Sequence, residues 1–182
     1  MEDTATREVM WNIDHSLTWV MYLLFLVALG FCIFFLVKRW RLMSIGAPVD
    51  RTGNWKARAK GMIVDALLQL RVLKKPGAGV MHLGMYVGMI IMLIATVVTA
   101  AQFDLGLQLI YGDFYLYFMA LAVDLAGLAF CIAMVACIVR RIVNKKLDTK
   151  PGDIIVLVLL LVIGLSGFLV EGLRIVGTDD PW

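Results

Sequence analysis

Four stretches of this chain are apolar at nearly every position, and the pattern between them turns polar. The stretches run from Ser16 to Val37, Val80 to Ala101, Phe114 to Val139 and Ile154 to about Gly172. A helix that crosses the hydrocarbon core of a bilayer needs about 20 mostly apolar residues, and each stretch supplies them. Lipid offers no partner for backbone N–H and C=O groups, so an isolated spanning segment must satisfy them internally as a helix. The predicted fold is therefore all-α and integral to the membrane: a bundle of four transmembrane helices at 16–37, 80–101, 114–139 and 154–172. Residues 1–15, 38–79 and 173–182 lie outside those spans.

The segment 38–79 has a pattern of its own. Trp55, Ala59, Met62, Ile63, Ala66, Leu67 and Leu70 recur at helical spacing. Lys56, Arg58, Lys60 and Arg71 fall between them. This predicts an amphipathic helix over 55–73, which would lie on the membrane surface or offer a docking platform to a partner. Pro76-Gly77 and Pro151-Gly152 are expected to break the chain before the second and fourth spans.

Composition agrees with a chain dissolved in lipid. It is 62% hydrophobic and 17% charged, where a soluble domain carries about 45–50% apolar and about 25% charged residues. The placement of charge says more than its total. Of the 17 lysines and arginines, all but Arg7 and Arg174 fall between Lys38 and Lys75 or between Arg140 and Lys150. Lys and Arg collect in cytoplasmic loops, so both basic loops are expected in the cytoplasm and both termini on the far side. In a bacterium or archaeon this is the cytoplasmic membrane, with the termini periplasmic. Glu2, Asp3, Glu8 and Asp14 outnumber Arg7 in the opening residues, the wrong sign for a cleavable signal peptide. No nucleic-acid partner is expected.

Cys32, Cys131 and Cys137 all sit within apolar runs and form no Cys-x-x-Cys pair, so they read as buried hydrophobes rather than metal ligands. Ionisable groups inside a span are more informative, because lipid makes them costly. His82 lies near the cytoplasmic end of the second span, and imidazole is a common axial ligand of haem iron. Gly84 and Gly88 follow it at small-xxx-small spacing, which suits close approach of either a flat macrocycle or another helix. The other histidine, His15, stands at the outer edge of the first span, roughly 25 Å from His82 by helical rise and core thickness. One iron cannot take both. Asp124 lies roughly 15 Å inside the third span. Glu171 and Arg174 sit at the outer end of the fourth, three residues apart, at a spacing that permits an ion pair. His15, Asp124, Glu171 and Arg174 together offer donors and proton acceptors of the kind a quinone site needs, although Asp124 also reads as a carboxylate bonded to a neighbouring helix, and Glu171 and Arg174 as a local snorkelling pair.

Several segments resemble a known family. Thr6-Arg7-Glu8-Val9-Met10-Trp11-Asn12-Ile13-Asp14-His15 is similar to the opening of membrane-bound iron–sulfur oxidoreductases related to the heterodisulfide reductase catalytic subunit. Leu70-Arg71-Val72-Leu73, Pro76-Gly77, Met81-His82, Gly112-Asp113-Phe114-Tyr115, Asp124-Leu125-Ala126-Gly127 and Gly167-Phe168-Leu169-Val170-Glu171-Gly172-Leu173-Arg174 follow in the same order. The membrane part of that family resembles the gamma subunit of respiratory nitrate reductase, a cytochrome b. The resemblance implies a module carrying haem b that passes electrons between a quinone, menaquinone or ubiquinone, and iron–sulfur clusters on the cytoplasmic side. His82 matches a haem ligand, and the second histidine of that helix corresponds here to Met92, leaving one haem or two. The family continues with a fifth helix that supplies the opposite ligands, then a cysteine-rich domain. These 182 residues are therefore expected to be part of a longer polypeptide, or to rely on a partner for those pieces.

The leading expectation is thus part of a quinone-dependent oxidoreductase complex. Its partners would be an iron–sulfur protein or domain and an electron-transfer flavoprotein. The alternatives are a cofactor-free membrane anchor or assembly subunit and, further off, a small ion-coupled transporter working through Asp124.

Overall fold

In a computed structural model, residues 5–46, 53–144 and 147–178 are described. Glu2 and Asp3 lie outside them, as do Arg51, Lys145 and Lys146 of the two basic loops and the side chain of His15. The described chain is helical almost throughout. Four helices, Ser16–Met43, Pro76–Leu105, Gly112–Val143 and Pro151–Thr178, are long and apolar enough to cross a membrane. The all-α membrane architecture expected from the four apolar runs is the architecture observed.

The chain divides into two units, one of residues 10–60 and the other of 1–9 with 61–182. The first holds α1 (His15–Met43), whose N-cap Asp14 accepts a hydrogen bond from the Ser16 amide at 2.9 Å. It also holds α2 (Trp55–Gly61) up to Lys60.

The second unit opens with a π-helical stretch, Met62–Leu67. Gln69 then takes a left-handed φ of 57°, which ends helical winding before α3 (Leu70–Leu73) resumes it. The amphipathic helix expected over 55–73 is thus three pieces rather than one. A non-glycine residue at positive φ is uncommon, and no periodicity in the apolar positions signals it. The helix α4 (Pro76–Leu105) carries Pro76 in its first turn. There the missing N–H costs nothing and the fixed φ suits a helix. Pro76 and Pro151 therefore start their helices instead of breaking the chain ahead of them, and the spans run longer than 80–101 and 154–172 at both ends.

At its far end α4 stops on Gly106, at φ 65°, a C-terminal cap that glycine adopts without steric cost. The Gln102 side chain secures the turn that follows. Its Oε1 accepts from the amides of Leu109 and Ile110, at 3.1 and 2.7 Å. The third long span then comprises α5 (Gly112–Phe114), a π-helical stretch (Tyr115–Ala122) and α6 (Val123–Val143). The last is α7 (Pro151–Thr178). Residues 173–178, expected in a tail, are its final turns.

The helix α6 is the centre of this unit, packing on α4 along one side and α7 along the other. Small residues set the approach. A Cβ on Gly88 would stand 2.8 Å from the Phe130 Cβ and 2.9 Å from the Ala126 carbonyl oxygen. A Cβ on Gly84 would stand 3.1 Å from that of Ala133. Across the other seam, a Cβ on Gly164 would meet the Cys131 sulfur at 2.9 Å. Without a hydrophobic driving force between helices in lipid, such close backbone contact is what holds spans together. Phe130, Cys131 and Met134 fill the seam, with Met85, Met92, Leu157 and Leu161 against them. Large apolar side chains such as Leu93, Leu125, Ile163 and Leu169 remain exposed on the outer faces, as a lipid-facing surface requires.

Candidate functional site

At the end of this unit where α4 stops and α7 finishes, the N-terminal segment folds back onto the helices. The Ala5 carbonyl accepts from the Gly112 amide at 2.6 Å. Thr6 pairs with Tyr111 in an isolated antiparallel bridge, and its hydroxyl donates to the Ile110 carbonyl at 3.1 Å. Ala5 is buried in a cluster with Ala95, Ile110, Tyr115 and Met119. Two pinned residues thereby place the third, Arg7, beside α7.

There Glu171 shares its carboxylate between two guanidinium groups. Its Oε1 accepts from Arg174 Nη2 at 2.9 Å, and its Oε2 lies 3.2 Å from Arg7 Nη2. The two arginines differ in setting. The Arg174 side chain is 5% exposed, whereas that of Arg7 is 29% exposed. Arg174 also donates to the Tyr115 hydroxyl at 3.4 Å. A buried guanidinium needs a hydrogen-bonded counter-charge; Glu171 provides the charge and the Tyr115 hydroxyl a further acceptor from a second element.

Below this network lies a cavity of about 360 Å³, lined by residues of α4, the third span, α7 and the N-terminal segment. Arg7, Glu171 and Asp124 contribute charge; Thr96 and Thr99 contribute hydroxyls. Met92, Met119, Val123 and Phe168 make apolar walls. Gly167 also lines it, and a Cβ there would meet nothing within 4 Å. Glu171 stands seven residues from the end of α7 and Asp124 twelve from the start of its span. At 1.5 Å per residue those are depths of about 10 and 18 Å. The cavity therefore runs inward from a guanidinium–carboxylate rim to a carboxyl deep in the span. Among the described residues the Asp124 side chain has no hydrogen bond or ion pair.

The π-helical stretch is what allows Tyr115 and Asp124 to serve one site. They are nine residues apart, about two and a half turns of a regular α-helix, which would set them on opposite faces. Tyr115 nevertheless reaches Arg174, and Asp124 lines a cavity with Glu171. The wider π turns between them change the register, as π segments at functional sites do.

Of the expected site residues, the fold brings Asp124, Glu171 and Arg174 together. His15 opens α1 in the other unit, and its side chain lies outside the described residues. Arg7, Tyr115 and the two threonines join Asp124, Glu171 and Arg174. Arg7 is a lone basic residue in an acidic segment and part of the stretch 6–15 that carries the family resemblance, but neither signal says where Arg7 lands.

His82 lies at the opposite end of α4, about 15 Å along the axis from Met92. It is half-buried and lines a second cavity, of about 350 Å³, with Met85, Cys137, Arg140, Arg141 and Asp153. Arg141 is engaged with Asp153 at 3.0 Å. The cavity thus offers one imidazole that could hold a haem iron, beside Arg140 and Arg141 and the carboxylates of Asp148 and Asp153. Of the two close approaches that the Gly84 and Gly88 spacing suits, a macrocycle or another helix, the one seen is to α6. Among the described residues no three His, Cys, Asp or Glu side chains converge on a metal site.

An all-α membrane protein with a half-polar cavity inside its spans is the class that this fold and site define. Among curated proteins, the chain is similar to one named EtfAB:quinone oxidoreductase from Syntrophomonas wolfei subsp. wolfei. The two are 28% identical over 176 residues, which is 95% of this chain and 24% of that protein. The chain thus spans about a quarter of the relative it matches. No family model matches the chain, and no solved structure matches it significantly.

Proposed function

We propose that this chain is the quinone-reacting membrane module of an oxidoreductase complex, and that the cavity lined by Arg7, Asp124 and Glu171 is where the quinone ring binds. The observation that carries the reading is that cavity. It joins apolar walls for a ring to donors for its oxygens, and it has a deep carboxyl, unpaired among the described residues, to exchange protons. Quinol oxidation releases two electrons and two protons; quinone reduction takes up both. Asp124 would accept or deliver a proton at the ring oxygen, and Glu171 would pass it on towards the end of the helices. The relative's name, which joins EtfAB to quinone, supports a quinone ligand and an electron-transfer flavoprotein as the soluble partner.

The electrons need a route to the other end of the helices. His82 would hold haem b there, and that group would supply a one-electron carrier. An iron–sulfur protein or domain would then connect it to the flavoprotein. The Lys and Arg asymmetry supports an orientation in the cytoplasmic membrane of a bacterium or archaeon, with the His82 end cytoplasmic and the cavity end outside.

Purified protein tests both parts. A reduced-minus-oxidised spectrum should show a b-type Soret band that menaquinol develops and His82→Ala removes. A cavity that serves quinone should bind a naphthoquinone in lipid nanodiscs at micromolar concentration. Absence of that binding would overturn the quinone assignment.

One observation favours a second reading. Gly84 and Gly88, which suit a macrocycle by spacing, are spent on packing against α6. A cofactor-free anchor that binds quinone and hands electrons directly to a partner would need no more than this. A spectrum without a Soret band, from protein that still binds naphthoquinone, selects it.

A further inference from the structure

The two guanidinium groups on Glu171 are not equivalent, and the difference identifies what the cavity prefers to bind. Arg174 is enclosed: its side chain is 5% exposed, it is held by Glu171 on its own helix and by Tyr115, and it does not line the cavity. Arg7 lines the cavity, is 29% exposed and meets Glu171 through a single nitrogen. A guanidinium has five N–H donors in a planar fork, so Arg7 retains donors that can face a ligand. Its removal from Glu171 would also leave the carboxylate paired, because Arg174 holds the other oxygen at 2.9 Å. The Arg7–Glu171 contact can therefore be exchanged for a ligand contact at small cost, whereas the Arg174–Glu171 contact cannot.

Position reinforces chemistry. Ala5 and Thr6 pin the segment to Gly112, Ile110 and Tyr111. The guanidinium is thus presented from a fixed backbone, and only the side chain has to turn. Within a low-dielectric span, a charge-assisted hydrogen bond to an oxyanion is much stronger than one to a neutral carbonyl.

We infer that Arg7 is the positioning residue for the ligand's oxygen, and that it gives the site a preference for the anionic, deprotonated form of a quinol-type ring over a neutral quinone of the same shape. This rests on the quinone-site reading above and adds to it a charge preference and the residue responsible.

Two naphthoquinones separate the ideas. A 2-hydroxy-3-alkyl-1,4-naphthoquinone is an anion at neutral pH, because it is a vinylogous carboxylic acid whose conjugate base is delocalised through the ring double bond onto the C4 carbonyl. The 2-methyl-3-alkyl analogue has the same shape and no charge. Binding of both to the protein in nanodiscs is measured for wild type, Arg7→Gln and Arg7→Lys. The expected result is that wild type binds the anion about tenfold or more tightly than the neutral analogue. Arg7→Gln should abolish that preference while still binding the neutral analogue, and Arg7→Lys should restore part of it. A preference that survives Arg7→Gln overturns the inference and leaves the quinone site standing. Equal loss of both ligands in Arg7→Gln assigns Arg7 a structural role and also overturns it. Wild type binding neither ligand overturns the inference together with the quinone site.

Discussion

Arg7 Nη2 lies 3.2 Å from Oε2 of Glu171, so a residue ahead of the first span is tied to the last turns of the final one. Glu171 is the hinge of the polar network, since its other oxygen neutralises the buried Arg174. Glu171→Gln would keep the shape and leave Arg174 without its counter-charge, and breaking a buried pair from one side costs about 3–5 kcal/mol. Arg7→Gln removes only the more exposed arm and should cost about 1 kcal/mol or less. Thermal unfolding in detergent should therefore show a large drop in midpoint for Glu171→Gln and a small one for Arg7→Gln.

A second expectation concerns the seam between α4 and α6. The 2.8 Å that would separate a Gly88 Cβ from the Phe130 Cβ cannot be relieved by rotating a side chain, because the Ala126 carbonyl stands at 2.9 Å on the same side. Gly88→Ala must push the helices apart. Overpacking of this kind costs about 1–3 kcal/mol, and its thermal midpoint should fall well below that of Gly30→Ala, where a Cβ meets nothing within 4 Å.

How far these features can be read from the chain depends on how local they are. The four spans were legible because lipid imposes the same demand on every residue of a run. Their ends were less so: Pro76-Gly77 reads as a break, yet proline in a first turn starts a helix just as well. Asp124, Glu171 and Arg174 stood out because charge is rare inside a span, and the Glu171–Arg174 pair follows from helical spacing alone. Arg7 could not be found that way, since its role comes from the return of the N-terminal segment to Tyr111 and Gly112. Nor could the pairing of Tyr115 and Asp124 with one site, because a period of 3.6 residues places them on opposite faces and only the π turns reconcile them.

Gly167 offers a clean way to fill the cavity. It lines the space without touching a neighbour, so a leucine there would project into the volume proposed for the ring and disturb no helix contact. Gly167→Leu should unfold within a few degrees of wild type while losing naphthoquinone binding by at least about tenfold. Retention of full affinity would move the ligand elsewhere.

Asp124 is the remaining test of chemistry rather than of space. Its carboxyl lies about 18 Å inside the span and, among the described residues, has no partner in the protein. A structural carboxyl would have one, because an unpaired polar group in such a setting destabilises the fold. Asp124→Asn preserves the shape and removes the ability to exchange a proton. The variant should bind the neutral naphthoquinone within about threefold of wild type and fold at least as stably. Quinol-linked electron transfer to an artificial acceptor should fall by about a hundredfold or more, the range that general acid–base groups supply. A variant that loses binding and turnover in the same proportion would make Asp124 a ligand contact instead of the proton-exchanging group.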